Sequence, residues 1–231
     1  MNITRRIFNR LKKVLNPPPP KFDTTGERVD ITYNSQIDFE ILDMYQKSHY
    51  RRYEFAVGIL NQVETCGDFA CGTGYGSVML SQKVKKVIGA DINSEVISAI
   101  KKRYRSVSNI EFIQANLLDL NFVSIFDTVV SFETIEHFSE ANIQLLLSFF
   151  YKAIKPNGKL IFSTPYMQER SDAAIKMGHH LTFYINEERI ERWLADARFI
   201  VELYKYQNYE THTLHSALEK RDFIICVASK K

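Results

Sequence analysis

Long apolar runs are missing from this chain of 231 residues: none approaches the ~20 residues that a bilayer-spanning helix needs. The N-terminus has no apolar core of the kind a secretory signal carries, so no export is expected. Cysteine is scarce. Cys66, Cys71 and Cys226 form no CxxC pair, which argues against a disulfide framework or a zinc site. A reducing, cytoplasmic compartment fits, with the thiols as small buried apolar groups. Glycine is sparse too, yet three of the nine glycines fall at positions 72, 74 and 76.

Acid is absent from residues 1–21, where Arg5, Arg6, Arg10, Lys12, Lys13 and Lys21 stand. The other 24 basic residues face 27 acidic ones, so the body of the chain is acidic although the whole carries +3. Such a body is a poor match for a phosphate backbone, and no nucleic-acid partner is expected. Ile3, Ile7, Leu11, Val14 and Leu15 recur at helical spacing, with Arg6, Arg10 and Lys13 off that stripe. The pattern predicts a basic amphipathic helix over 1–15, which the run Pro17–Pro20 stops. It reads as a foot on an anionic membrane surface or a partner, or as a solvated extension.

From Ile41 to about residue 63 the pattern is helical. Short apolar strands then alternate with amphipathic helices. That alternation predicts an α/β, Rossmann-like, doubly wound and mostly parallel sheet of seven strands. The two closing strands, FIVELYKYQ and DFIICVAS, suggest antiparallel pairing at one edge. The organisation expected is residues 1–20 as helix and proline linker, 21–60 as a helical lid, and 61–231 as the catalytic domain.

The stretch DFACGTGYG follows a strand and opens a helix. Gly72 and Gly74 permit close backbone approach and positive φ. The spacing lacks the third glycine of the dinucleotide fingerprint and the Lys-Ser/Thr of a triphosphate loop. Asp91 ends the next strand, placed to accept both hydroxyls of a ribose. The loop therefore suits a ribose-bearing ligand without a pyrophosphate.

DFACGTGYG with GADI, FDTVVSFETIEHF and AIKPNGKLIFSTP resemble, in order, the motifs of class I S-adenosylmethionine-dependent methyltransferases, over most of residues 27–228. GERVDI, SHYRRYEFA, HHLTFY and YKYQ are similar to methyltransferases that accompany glycosyltransferases in surface-polysaccharide biosynthesis. The resemblance implies S-adenosylmethionine as cofactor and S-adenosylhomocysteine as product. It implies that Asp68 organises the loop and that Ala70, Gly72 and Gly74 pack on the methionine part. Asp91 would take the ribose hydroxyls, Ile92 and Leu117 would flank the adenine, and Phe132 would lie near the sulfonium. Asn116 stands where the family usually has an acid, and its carbonyl can still accept from the adenine amino group. Arg52 is the candidate for the cofactor carboxylate.

Methyl transfer to an aliphatic hydroxyl needs a proton acceptor, and histidine suits that task near neutral pH. Glu133 and His137 would share a face if FETIEHF is helical, with the carboxylate orienting the imidazole. Glu136 lies between them. After the fifth strand, His180 matches the family's histidine better than His179 does. His137 or His180 is expected to be the base, with Glu133 in support. A divalent metal is not expected, because no ligand spacing demands one. His212 and His215 stand at ligand-like spacing but are expected to be satisfied locally. The expected activity is O-methylation of a sugar or glycan. The rivals are methylation of a small aromatic or quinone-like metabolite, a non-catalytic cofactor binder, and a dehydrogenase.

Overall fold

Strand-forming segments and helical segments alternate along the chain because their apolar residues recur at different periods, and the structure follows that alternation. The computed structural model describes residues 28–31, 37–60, 65–177, 179–217 and 221–231. The basic helix and proline linker expected over 1–20 lie outside the described residues.

Helix α1 (Met44–Ile59) opens on a capping box, in which the Asp43 carboxylate accepts from the Gln46 N–H and the Gln46 side chain accepts from the Asp43 N–H. The pattern then runs β1 (Thr65–Phe69), α2 (Tyr75–Ser81), β2 (Lys86–Asp91), α3 (Ser94–Arg103), β3 (Ile110–Gln114), β4 (Phe126–Phe132), α4 (Glu140–Ala153) and β5 (Ile154–Pro165). It closes with α5 (Asp172–Met177), α6 (Glu187–Asp196), β6 (Phe199–Gln207), β7 (Leu214–His215) and β8 (Phe223–Lys230). No described helix is long and apolar enough to cross a membrane.

The strands form one sheet in the order β3-β2-β1-β4-β5-β8-β6-β7. β1 to β5 pair in parallel, whereas β8 is antiparallel to both β5 and β6. The chain is thus a Rossmann-like, mostly parallel α/β fold with its antiparallel pairing gathered at one end. Among the described residues eight strands form where seven are expected. The added one, β7, is only two residues long and pairs Tyr206 and Gln207 with His215 and Leu214. β8 inserts between β5 and β6, so the last two long strands pair directly.

Strand alternation sorts the core into two layers. Val129, Leu160, Phe162, Ile224, Cys226 and Ala228 face α4 and α6, where they meet Leu146, Phe150, Ile190 and Trp193. Their neighbours Val130, Phe132, Ile161, Ile225 and Val227 face α1 and α2, where they meet Tyr53, Ala56, Met79 and Leu80. Near-continuous apolar runs in these strands follow from burial on both faces. The first half of the sheet ends its strands at Phe69, Asp91, Gln114 and Phe132, which collects loops over one rim.

Gly76 lets α1 reach α2. A Cβ there would sit 2.1 Å from the Tyr53 ring. Glycine to alanine inside a helix normally stabilises by ~1 kcal/mol. Gly76→Ala should instead destabilise by ~1–3 kcal/mol, the usual cost of overpacking. A lowered thermal midpoint with intact far-ultraviolet dichroism is the expected result.

Candidate functional site

The rim loop after β1 carries the first elements of the site. Ala70, Gly72 and Gly74 all have positive φ, at 62°, 52° and 77°. Gly74 caps α2 and packs against Phe112 and Tyr104, whereas a Cβ on Gly72 would meet nothing within 4 Å. Bare backbone at Gly72 therefore faces a cavity of about 480 Å³. The Asp91 carboxylate receives the Gly72 N–H (3.1 Å) and the Asn93 N–H (2.9 Å), and Arg28 Nη2 lies 3.4 Å from its Oδ1. Asp91 thus joins the glycine loop to β2 and stands in the cavity wall.

Beneath the loop, Asp68 is fully buried. Tyr53 Oη donates to its Oδ1 (3.0 Å), and Ser77 Oγ to its Oδ2 (2.5 Å). Asp68 does not line the cavity; it ties α1, β1 and α2 together under the loop.

Of the residues assigned to the cofactor, Ala70, Gly72, Asp91, Ile92, Asn116, Leu117 and Phe132 line this cavity. Ile92 exposes 62% of its surface, a free apolar face beside Asp91. Asn116 caps the short turn Leu117–Asp119, its Oδ1 accepting from the Leu118 N–H (3.0 Å). An amide oxygen has a second lone pair, so the site retains an acceptor there. Bare backbone, a buried carboxylate and apolar walls fit a nucleoside-bearing cofactor.

Arg52 is placed elsewhere than expected. It is fully buried and does not line this cavity. Its Nε donates to Gln207 Oε1 (2.8 Å), its Nη2 to Ser48 Oγ (3.2 Å), and its guanidinium lies 4.1 Å from the Phe223 ring centre. Its Nη1 pairs with Glu133 at 3.3 Å. A buried guanidinium needs several partners, and the packing of α1 on β6 and β8 supplies them.

A second cavity, about 760 Å³, shares Arg28, Val29, His49 and Glu133 with the first. Tyr45, Tyr166 and Phe223 give it aromatic walls, and Asp43, Gln168, His180 and Asp222 give it polar ones. His49, which the sequence did not single out, stands where the two meet. Its enclosure and the Arg52 guanidinium hold its imidazole well below the usual histidine range, so it is neutral at pH 7.

The segment after β4 departs from the helical expectation. Glu133 has φ 48°, and only Ile135–His137 form a 3-10 turn. Glu133 accepts from Ser163 Oγ (2.7 Å) and pairs with Arg52, so it does not orient His137. The carboxylate beside the histidines is that of Glu136, which is 1% exposed. One oxygen of Glu136 and one nitrogen each of His137 and His180 lie within 4.8 Å of one another. His137 lines the first cavity and His180 the second, with ring centres 5.0 Å apart. His179 contributes its carbonyl to His137 Nδ1 (2.9 Å) and also lines the first cavity. His215 Nε2 bonds to Thr213 Oγ1, and His212 is buried between the Phe39 and Tyr209 rings. Only the tertiary fold unites Glu136 with His180, 44 residues on, so spacing carried no signal for the group.

Burial raises the Asp68 carboxyl from 3.8 to about 6, against its two hydroxyl donors, which lower it. The folded chain then holds this proton more tightly than the unfolded chain does. That stability is fully present below about pH 4 and is lost as pH rises through about 6. Wild type minus Asp68→Asn unfolding free energies should therefore be larger near pH 4.5 than near pH 7.5, by ~2 kcal/mol. Denaturant melts at the two pH values read this difference, and a flat difference would exclude a perturbed Asp68.

Residues 67–158 match the family described as methyltransferase domain. Among curated relatives, malonyl-[acyl-carrier protein] O-methyltransferase of Priestia megaterium is 25% identical over 135 residues, 58% of this chain and 47% of that one. Demethylmenaquinone methyltransferase of Oceanobacillus iheyensis is 28% identical over 136 residues, 55% and 53% of the two chains. The chain spans about half or less of the length of the first curated relatives it matches. Among solved structures, geranyl diphosphate C-methyltransferase from Streptomyces coelicolor A3(2) superimposes with a TM-score of 0.65 at 17% identity, covering 79% of this chain and 77% of that one. Fold, loop geometry and family match agree over residues 67–158, the part of the chain that matches a methyltransferase domain.

Proposed function

We propose that this chain is an O-methyltransferase that moves the methyl group of S-adenosylmethionine to a hydroxyl of a sugar or glycan. The observation that carries the reading is the second cavity opening from the first. Aromatic faces at Tyr45, Tyr166 and Phe223 suit the C–H faces of a sugar ring. Hydrogen-bonding groups at Asp43, Gln168, His180 and Asp222 suit its hydroxyl edges. Residues 21–60 act as a lid on the domain 61–231, supported by Arg28, Val29 and His49 lining both cavities.

Several of the chain's residues have separable tasks. Asp91 receives the ribose hydroxyls, and Ile92 and Leu117 enclose the base. Phe132, edge-on to Tyr53 with centres 4.9 Å apart, keeps water from the methyl donor. The cofactor supplies an already activated methyl group, so the protein mainly positions the acceptor and receives its proton. His137, His180 and His49 stand where the cavities meet. Gln168 and the His179 carbonyl orient two of the three rings.

The demethylmenaquinone relative favours a second reading, a quinone-like metabolite as acceptor. Incubation with S-adenosylmethionine and parallel panels of nucleotide sugars, lipid-linked glycans and quinols separates the two by tandem mass spectrometry. A single added methylene on a sugar oxygen is the expected product, and a methylated quinol alone would overturn the glycan reading. His137→Ala and His180→Ala should each lower turnover by ~10²–10⁴ while cofactor affinity stays within a few-fold.

The basic stripe over residues 1–15 is proposed to hold the enzyme on an anionic membrane surface, where lipid-linked acceptors reside. Its five basic residues without acid support this reading. The full chain should co-sediment with phosphatidylglycerol vesicles in a salt-sensitive way, and a chain lacking residues 1–20 should not. Equal sedimentation of both would remove the membrane contact.

A further inference from the structure

We propose that Glu136, His137 and His180 form a divalent-cation site where the two cavities meet. The proposal rests on the reading of the second cavity as the acceptor site, but metal binding can be tested without any acceptor. Three ligand atoms about 2.1 Å from one ion lie at most ~4.2 Å apart. The three here stand within 4.8 Å of one another, so side-chain rotations that move each atom by about an ångström bring them to the ~3.4 Å spacing of a tetrahedral set.

The histidine tautomers point the same way. His137 Nδ1 lies 2.9 Å from the His179 carbonyl oxygen, and His180 Nδ1 lies 2.5 Å from Gln168 Oε1. A carbonyl oxygen only accepts, so each Nδ1 carries a hydrogen, which in the neutral imidazole leaves the lone pair on Nε2. Metal-binding imidazoles are held in this way by an outer carbonyl or carboxylate. Here two independent imidazoles show it, beside one buried carboxylate.

The two segments that carry the ligands are bonded to each other. The Leu181 and Thr182 N–H groups donate to the Glu136 carbonyl at 2.8 and 3.1 Å. Thr182 Oγ1 donates to the Phe138 carbonyl at 2.6 Å. The turn after β4 and the loop before α6 therefore present their side chains from one rigid unit. Such support is what a preorganised metal site requires.

Two imidazoles and one carboxylate form a mixed nitrogen–oxygen set, which suits Mn²⁺, Co²⁺ or Zn²⁺ better than Ca²⁺. Three protein ligands leave coordination positions open. A pair of neighbouring hydroxyls on a sugar ring can fill them, and a metal-bound hydroxyl loses its proton more readily. The hydroxyl proton then passes to His49, the imidazole at the junction that the ion does not use. The resulting alkoxide oxygen takes the methyl group as the carbon–sulfur bond breaks, leaving S-adenosylhomocysteine.

The test uses the full untagged chain, stripped with a chelator and titrated with Co²⁺ alone. Calorimetry should show one site per chain, and the bound ion should give visible ligand-field absorption. Glu136→Gln and His180→Ala should each weaken Co²⁺ binding by at least tenfold. Gln168→Leu, which keeps every ligand, should weaken it by about 10–100-fold. S-adenosylmethionine affinity, measured on the same samples, reports that each variant is folded. Lack of stoichiometric binding, or binding unchanged in both Glu136→Gln and His180→Ala, would overturn the site. Either result leaves the methyl-transfer reading standing. Conversely, cobalt binding with no methylated sugar in the product panel would sink the acceptor assignment alone.

Discussion

A carboxylate shut away from water holds the cofactor side of this molecule together. Asp68 is sealed between α1, β1 and α2, and it keeps its place through the hydroxyls of Tyr53 and Ser77. Three consequences follow. The chain leaves β1 at a fixed height, so Ala70 and Gly72 can turn with positive φ and expose bare backbone to the cavity. Tyr53 must reach inward, which only Gly76 permits. The Tyr53 ring then supports Phe132 at the end of β4. One buried charge thus links the glycine loop to the end of β4.

Arg52 is the counterpart at the antiparallel end of the sheet. One turn of α1 carries both Ser48 and Arg52, which lock onto Gln207 of β6, while Arg52 also stacks on Phe223 of β8 and pairs with Glu133. The antiparallel end of the sheet is therefore fastened to the same helix that fastens the glycine loop. His49 lies between these two anchors on α1 and is delivered to the seam of the two cavities. Its imidazole is held well below the usual histidine range first by its enclosure and then by the buried guanidinium beside it, which disfavours a second positive charge.

Much of the cofactor half was legible. The sheet, its order-setting helices and the glycine loop facing Asp91 follow from local signals: strand, turn, helix and an acid at the next strand end. Such signals survive because each residue acts through its own backbone position. The acceptor half was less legible. The four-residue spacing of Glu133 and His137 implied a shared helical face. Glu133 instead takes a left-handed conformation, which ends any helix before it starts and turns its carboxylate toward Arg52 and Ser163. Arg52 read as a cofactor-facing charge, because nothing local shows that Gln207, 155 residues away, will accept from it.

The sequence by itself determined the class of fold and a glycine loop suited to a ribose-bearing ligand, while the methyl donor came from the resemblance of its motifs to class I methyltransferases. Periodicity and glycine spacing are local properties, and local geometry enforces them wherever the chain sits. Only the tertiary structure decided which carboxylate meets the imidazoles, which arginine is buried, and which third histidine joins the site. Those choices depend on contacts between segments 40 or more residues apart, such as the turn after β4 and the loop before α6. Closure of such contacts is set by the packing of helices on both faces of the sheet, which no short window of sequence contains.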